Sequence, residues 1–153
     1  RGWFTPGTLL IPVPRSAPTV TGAVWPSKRI CEELNNRGLG GEIRACLRRT
    51  VAIRKSATAK GNRPDPAEHY ESVEVESDAP LLVQPDRILL VDDVVTRGST
   101  FLGLVPRLQE SFPVADILCF ALVRTMSKRE IDSMADPVSG HIRFDGVTPH
   151  REP

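Results

Sequence analysis

The residues whose types and spacing could do chemistry stand together at 88–100, ILLVDDVVTRGST. Four apolar residues run directly into Asp92 and Asp93, and two apolar residues later come Thr96, Arg97, Gly98, Ser99 and Thr100. Neighbouring carboxylates at the end of an apolar strand repel each other and are partly desolvated, so something polar must satisfy them. Adjacent sugar hydroxyls do so through charge-assisted hydrogen bonds. A divalent cation does so too, directly or through water, and Mg²⁺ prefers carboxylate oxygens together with phosphate. Small hydroxyl residues around a glycine, at the start of a helix, present main-chain N–H groups at the positive end of the macrodipole, which binds phosphate. Gly98 gives that loop the backbone freedom of an anion-binding nest. The acidic pair and the anion loop lie about one sugar apart, the spacing of a grip on a ribose 5-phosphate. A turn explains the acids alone and an N-cap explains the hydroxyls alone. Their conjunction, between a buried strand and a helix, carries the functional reading.

The elements that must position these groups follow from periodicity. TLLIPV (8–13) reads as a buried strand closed by Pro12 and Pro14. Residues 26–36 read as a helix with Pro26 in its first turn, Ile30 and Leu34 on one face and Gly38 at its stop. GEIRACLRRT (41–50) alternates Ile43, Ala45 and Leu47 with polar or small residues and predicts a strand. Residues 51–70 show no sustained period and predict a long loop, either functional or disordered. ESVEVE (71–76) predicts an edge strand, and ILLV (88–91) a strand buried on both faces of a parallel sheet. Leu102, Val105 and Leu108 predict a helix from 99 or 100 to 111, kinked by Pro106, and ADILCFALV (115–123) another buried strand. A short helix near 127–134 and a short strand at 141–144 close the pattern. The expected fold is α/β: a mainly parallel twisted sheet flanked by helices in a Rossmann-like, three-layer, single domain over 1–153.

The composition narrows the function classes. Twenty Lys plus Arg against 19 Asp plus Glu leave a charge of +1, and aromatics are 5%. Neither a basic field nor a base-stacking platform points to nucleic acid. No apolar run reaches membrane-spanning length, so a cytoplasmic protein without a membrane partner is expected. Cys31, Cys46 and Cys119 lack pairing spacing and read as reduced, apolar filling.

The segment ILLVDDVVTRGST resembles the 5-phosphoribosyl-1-pyrophosphate (PRPP) signature of type I phosphoribosyltransferases, closest to the ComF-like and amidophosphoribosyltransferase-like branch. The family pattern is four apolar residues, two acids, two apolar residues, then T-x-G-[small]-T, and every position fits. The resemblance implies Asp92 and Asp93 at the ribose hydroxyls, with Mg²⁺ bound directly or through water, and residues 96–100 around the 5-phosphate, Arg97 being the variable position. It implies a pyrophosphate loop at Pro14, Arg15 and Ser16, often with a strained cis peptide. It also implies a closing loop within 51–70, with Arg54, Lys55, Ser56 and Lys60 as candidates. Residues 124–153 stand where the family builds a hood, or form a C-terminal extension. The zinc segment of many ComF-like proteins has no counterpart.

The implied reaction transfers the phosphoribosyl group of PRPP to a small nitrogen-containing acceptor and releases pyrophosphate. Arg15 and Lys55 would stabilise the charge that accumulates on the leaving group, and loop closure would exclude water. Glu68, His69 and Asp145 are the nominated general bases. The acceptor stays open among purine, pyrimidine, ammonia or another amine, and the assembly leaves room for a homodimer. The rival from another class is a non-catalytic module of the same fold that senses PRPP or a phosphorylated nucleotide. A P-loop NTPase would need G-x-x-x-x-G-K-[ST], which is absent, and a receiver domain would carry its acidic pair on the first strand.

Overall fold

The computed structural model describes residues 2–18, 22–53, 64–76, 84–126, 131, 140–146 and 148–152. Its centre is a parallel sheet in the order β1-β4-β5, formed by β1 (Leu9–Pro12), β4 (Arg87–Val95) and β5 (Asp116–Arg124). β1 aligns Leu9 with Ile88 and Pro12 with Val91, and β4 aligns Arg87 with Asp116 and Val95 with Arg124. An isolated parallel bridge sets Ile43 beside Leu10 on the far side of β1.

Alternation assigns the two faces. Leu9, Ile11, Ile88 and Leu90 enter one core cluster with Phe101, Leu104 and Leu108 of α3 (Ser99–Ser111). Leu10, Leu89 and Val91 enter the other with Cys31 of α1 (Pro26–Asn36), joined by Ile30, Leu34 and Phe4. An apolar strand run is therefore buried from both sides, as parallel sheets require. α1 starts with Pro26 in its first turn and no side-chain cap, a place where proline's missing N–H costs nothing. β4, α3 and β5 form the expected strand–helix–strand unit. Among the described residues, no helix is long and apolar enough to cross a membrane.

Several boundaries differ from the sequence pattern. The 41–50 run is divided between two partners. Its first half touches β1, with Leu10 N–H donating to the Glu42 carbonyl and Arg44 N–H to that of Leu10. Its second half becomes β2 (Leu47–Arg49), antiparallel to β3 (Val73–Val75). The segment expected to be loop through residue 70 ends in a helix, α2 (Pro66–Glu71), and Glu71 is helical rather than part of a strand. The cause is local. Asp65 accepts from Glu68 N–H at 2.8 Å while the Glu68 carboxylate takes Asp65 N–H at 3.0 Å, a reciprocal capping box, and proline occupies the first turn.

β4 also outlasts its apolar run, continuing through both acids to Val95 because β5 accompanies it after β1 has ended. The strand expected at 141–144 is β6 (His141–Phe144), paired antiparallel with β7 (Pro149–Glu152). The short helix expected at 127–134 lies outside the described residues apart from Ile131.

Candidate functional site

The site forms where β1 stops and β4 goes on. The pairing of β1 with β4 ends at Val91, so Asp92 and Asp93 have no β1 partner, while Asp92 still pairs with Ala121 of β5. Their positions correct one expectation: the acids lie inside a strand, not in a turn after it. Alternation puts Asp92 on the face of Ile88 and Leu90, toward α3, and the Asp93 carboxyl comes within hydrogen-bonding reach of the Asp92 carboxyl. Each takes a backward bond from the chain, Asp93 N–H to Asp92 Oδ1 and Val94 N–H to Asp93 Oδ1, both 2.9 Å. Burial pushes the Asp92 carboxyl up to about 7, reinforced by Asp93 and opposed by its backbone bond and by Arg49. Its charged form is disfavoured by desolvation.

Beyond Val95, Gly98 caps α3 with φ 91° and ψ 10°, a left-handed conformation, and no side chain caps the helix. The first-turn amides have no intrahelical acceptor by construction, and they open next to the hydroxyls of Thr96, Ser99 and Thr100. Arg97 is exposed, as its variable position suggested. Gly98 serves a second purpose that the sequence did not announce. A Cβ there would stand 2.6 Å from Cδ1 of Ile142, on the β6–β7 hairpin. The β6–β7 hairpin thus rests against the 96–100 loop, with Ile142 also contacting the main core.

The loop after β1 is tied down through its carbonyls. Trp25 Nε1–H and the Ser27 hydroxyl both donate to the Val13 carbonyl, at 2.7 and 2.9 Å. Arg49 Nε–H donates to the Arg15 carbonyl at 3.1 Å, and Ile53 N–H to the Ser16 carbonyl at 2.8 Å. The Arg15 and Ser16 N–H groups donate to no described residue. Every described peptide bond is trans, so the implied cis peptide at residues 13–16 is not present.

Arg49 is the residue that sequence reasoning missed. It is 3% exposed, and besides the Arg15 carbonyl it donates to the Ser72 hydroxyl. No described carboxylate forms an ion pair with it; burial lowers its pKa to about 10, with Asp92 the opposing charge. The available signal was phase: residue 49 continues the apolar series 43, 45, 47, so an arginine there had to be buried. His69, also 3% exposed, sits at 3.5 Å from Thr100 Oγ1 through Nε2, and its Nδ1 has no partner. Burial and then Arg49 lower it to about 4, so it is neutral near pH 7. Gly103 lets α2 come this close, since a Cβ there would meet the Pro66 carbonyl oxygen at 2.4 Å and His69 Cβ at 2.6 Å.

The structure therefore gathers Arg15, Ser16, Arg49, Asp92 and the 96–100 loop at one end of the sheet. It redistributes the nominated bases: Glu68 belongs to the α2 cap, and Asp145 accepts from Thr148 N–H and pairs with His150 in the hairpin. Arg54, Lys55, Ser56 and Lys60 lie outside the described residues. Among the described residues no group of three or more His, Cys, Asp or Glu could hold a metal by itself. No protein-family model, curated protein or solved structure matches the chain.

Proposed function

We propose that this chain binds PRPP and transfers its phosphoribosyl group to a nitrogen nucleophile, releasing pyrophosphate, as its likeness to type I phosphoribosyltransferases implies. One observation carries the reading. β4 delivers a desolvated carboxylate, Asp92, to the sheet end at which α3 begins with an uncapped, glycine-turned first turn. Hydroxyl binding needs the first and phosphate binding the second, one sugar apart.

In this reading the α3 amides and the hydroxyls of Thr96, Ser99 and Thr100 hold the 5-phosphate. Asp92 and Asp93 accept from the ribose hydroxyls. The amides of Arg15 and Ser16, which donate to no described residue and are braced from behind by Arg49, receive the pyrophosphate, and the Arg15 side chain and Lys55 add charge. The C1–O bond to pyrophosphate breaks with its electron pair leaving on oxygen, while the nitrogen lone pair forms the C1–N bond and its proton passes to solvent or pyrophosphate. The residues position the reactants and stabilise the departing charge. Two carboxylates without a third ligand suit Mg²⁺ only in company with substrate oxygens, and Asp92 and Asp93 would hold it so. Bound there, the ion would neutralise charge between pyrophosphate and ribose.

The non-catalytic alternative has an observation in its favour: Glu68 and Asp145 are engaged in caps and turns and His69 is buried. Calorimetric titration with PRPP and Mg²⁺, followed by pyrophosphate release across purines, pyrimidines and ammonia, separates the two. Binding with turnover supports the transferase, and binding without turnover of any acceptor leaves the sensor. Absence of PRPP binding sinks the transferase and the PRPP sensor, and absence of phosphorylated-nucleotide binding as well sinks the sensor altogether.

A further inference from the structure

β5 is the outer strand of the sheet, and no described residue pairs with its free edge. It is long, nine residues, and between its charged ends, Asp116 and Arg124, it carries neither a charge nor a proline to guard the edge. Its side chains are apolar and unfinished: Leu122 is 63% and Val123 51% exposed, and Ile117 to Ala121 are only half-buried.

The sequence of this strand, DILCFALVR, complements itself when a second copy runs antiparallel about Phe120. Asp116 then lies opposite Arg124 of the second copy, Ile117 opposite Val123, Leu118 opposite Leu122, Cys119 opposite Ala121, and Phe120 opposite itself. Acid meets base at both ends and apolar meets apolar at every position between, the pairs that stabilise an antiparallel ladder. Arg124 makes no ion pair among the described residues, so the charge that this register would neutralise is unspent. Asp116 is exposed and bonded only to Arg87 Nε, at 3.1 Å.

We propose that two copies of this chain join through their β5 edges in this antiparallel register, about a two-fold axis at Phe120. The two three-stranded sheets become one six-stranded sheet, and Leu122 and Val123 are covered. Such an interface is isologous and closes as a dimer. The inference does not depend on the phosphoribosyl reading.

Sedimentation velocity on the wild-type chain over about 1–100 µM should give twice the 16.8 kDa chain mass. Asp116→Arg and Arg124→Asp, separately, place like charges opposite each other twice per dimer and should weaken association about tenfold or more. The double variant D116R/R124D restores the pairing with signs exchanged and should recover the dimer. Leu122→Lys, at an exposed position, should give a folded monomer, judged by circular dichroism. A monomeric wild type overturns the proposal, including one whose β5 amides are protected from hydrogen exchange by another segment of the same chain. A dimer indifferent to the single charge reversals, or a double variant that fails to recover, overturns it equally.

Discussion

Arg49 reaches back across the molecule to donate its Nε–H to the main-chain carbonyl of Arg15 at 3.1 Å, so a buried cation sits directly behind the loop that follows β1. A guanidinium without a carboxylate partner is costly to bury, and an anion arriving in front of that loop would offset the cost. Arg49→Met is expected to lower affinity for pyrophosphate with Mg²⁺ at least about tenfold while moving Tm by no more than about 3 °C. Arg49→Lys should not rescue, because the fork that serves Arg15 and Ser72 together is lost. Titration calorimetry on both variants checks this, and undiminished affinity in Arg49→Met removes the anion role.

Asp92 and Asp93 should not contribute equally. Asp92 is the desolvated member of the pair, with Arg49 its opposing charge, while Asp93 accepts from Val94 N–H. Asp92→Asn is expected to cost PRPP affinity about tenfold more than Asp93→Asn. Above pH 7 it should also raise the Tm of the ligand-free protein by about 2–5 °C, since a carboxylate disfavoured by burial is replaced by a neutral isostere. Equal losses of affinity in the two variants would refute the assignment.

The same carboxyl and His69 impose opposite pH dependences. His69 titrates at about 4 in the fold against an ordinary 6.5. The stability it contributes is present above pH 6.5 and lost as pH falls toward 4. Asp92 titrates at about 7 against 3.8, so its contribution is present below 3.8 and lost as pH rises through 7. Between about pH 4 and 6.5 the two slopes, each at most about 1.4 kcal/mol per pH unit, largely cancel. Asp92→Asn should unmask a loss of stability on acidification, and His69→Gln a gain. Urea unfolding at successive pH values reads both, and parallel curves for the three proteins would count against the shifts.

Gly98 is constrained twice, by its left-handed backbone and by Ile142 above it. Gly98→Ala should therefore carry a backbone cost of about 1 kcal/mol and a steric one. Ile142→Ala relieves only the second. A double-mutant cycle by denaturant unfolding is expected to show about 1 kcal/mol of coupling or more. Additive effects would place the hairpin elsewhere.

What the sequence revealed follows from how local each feature is. Residues 88–100 were legible because strand, acids, glycine and helix start are contiguous, and the position of the anion loop depends on nothing distant. The length of β4 was hidden, since two acids end an apolar pattern and only pairing with β5 carries the strand past them. The six-residue α2 was short enough to vanish into the long loop, although Asp65, Pro66 and Glu68 spell its cap. Arg49 depended on partners 34 and 23 residues away, and no window of periodicity reaches that far.

The order β1-β4-β5 also has a consequence for how the chain acquires its shape. Leu9 must find Ile88, whereas β4 and β5 are joined by one helix and close a short loop. Loop closure over so many residues is slow relative to local pairing, so β4, α3 and β5 should assemble first and β1 should dock late. Pulse-labelled hydrogen exchange during refolding would show the β5 amides protected before that of Val13, which donates to the Val91 carbonyl of β4; simultaneous protection would contradict this order. The site would then be born incomplete, its anion loop formed early and its opposing wall, residues 13–16, arriving with the last strand.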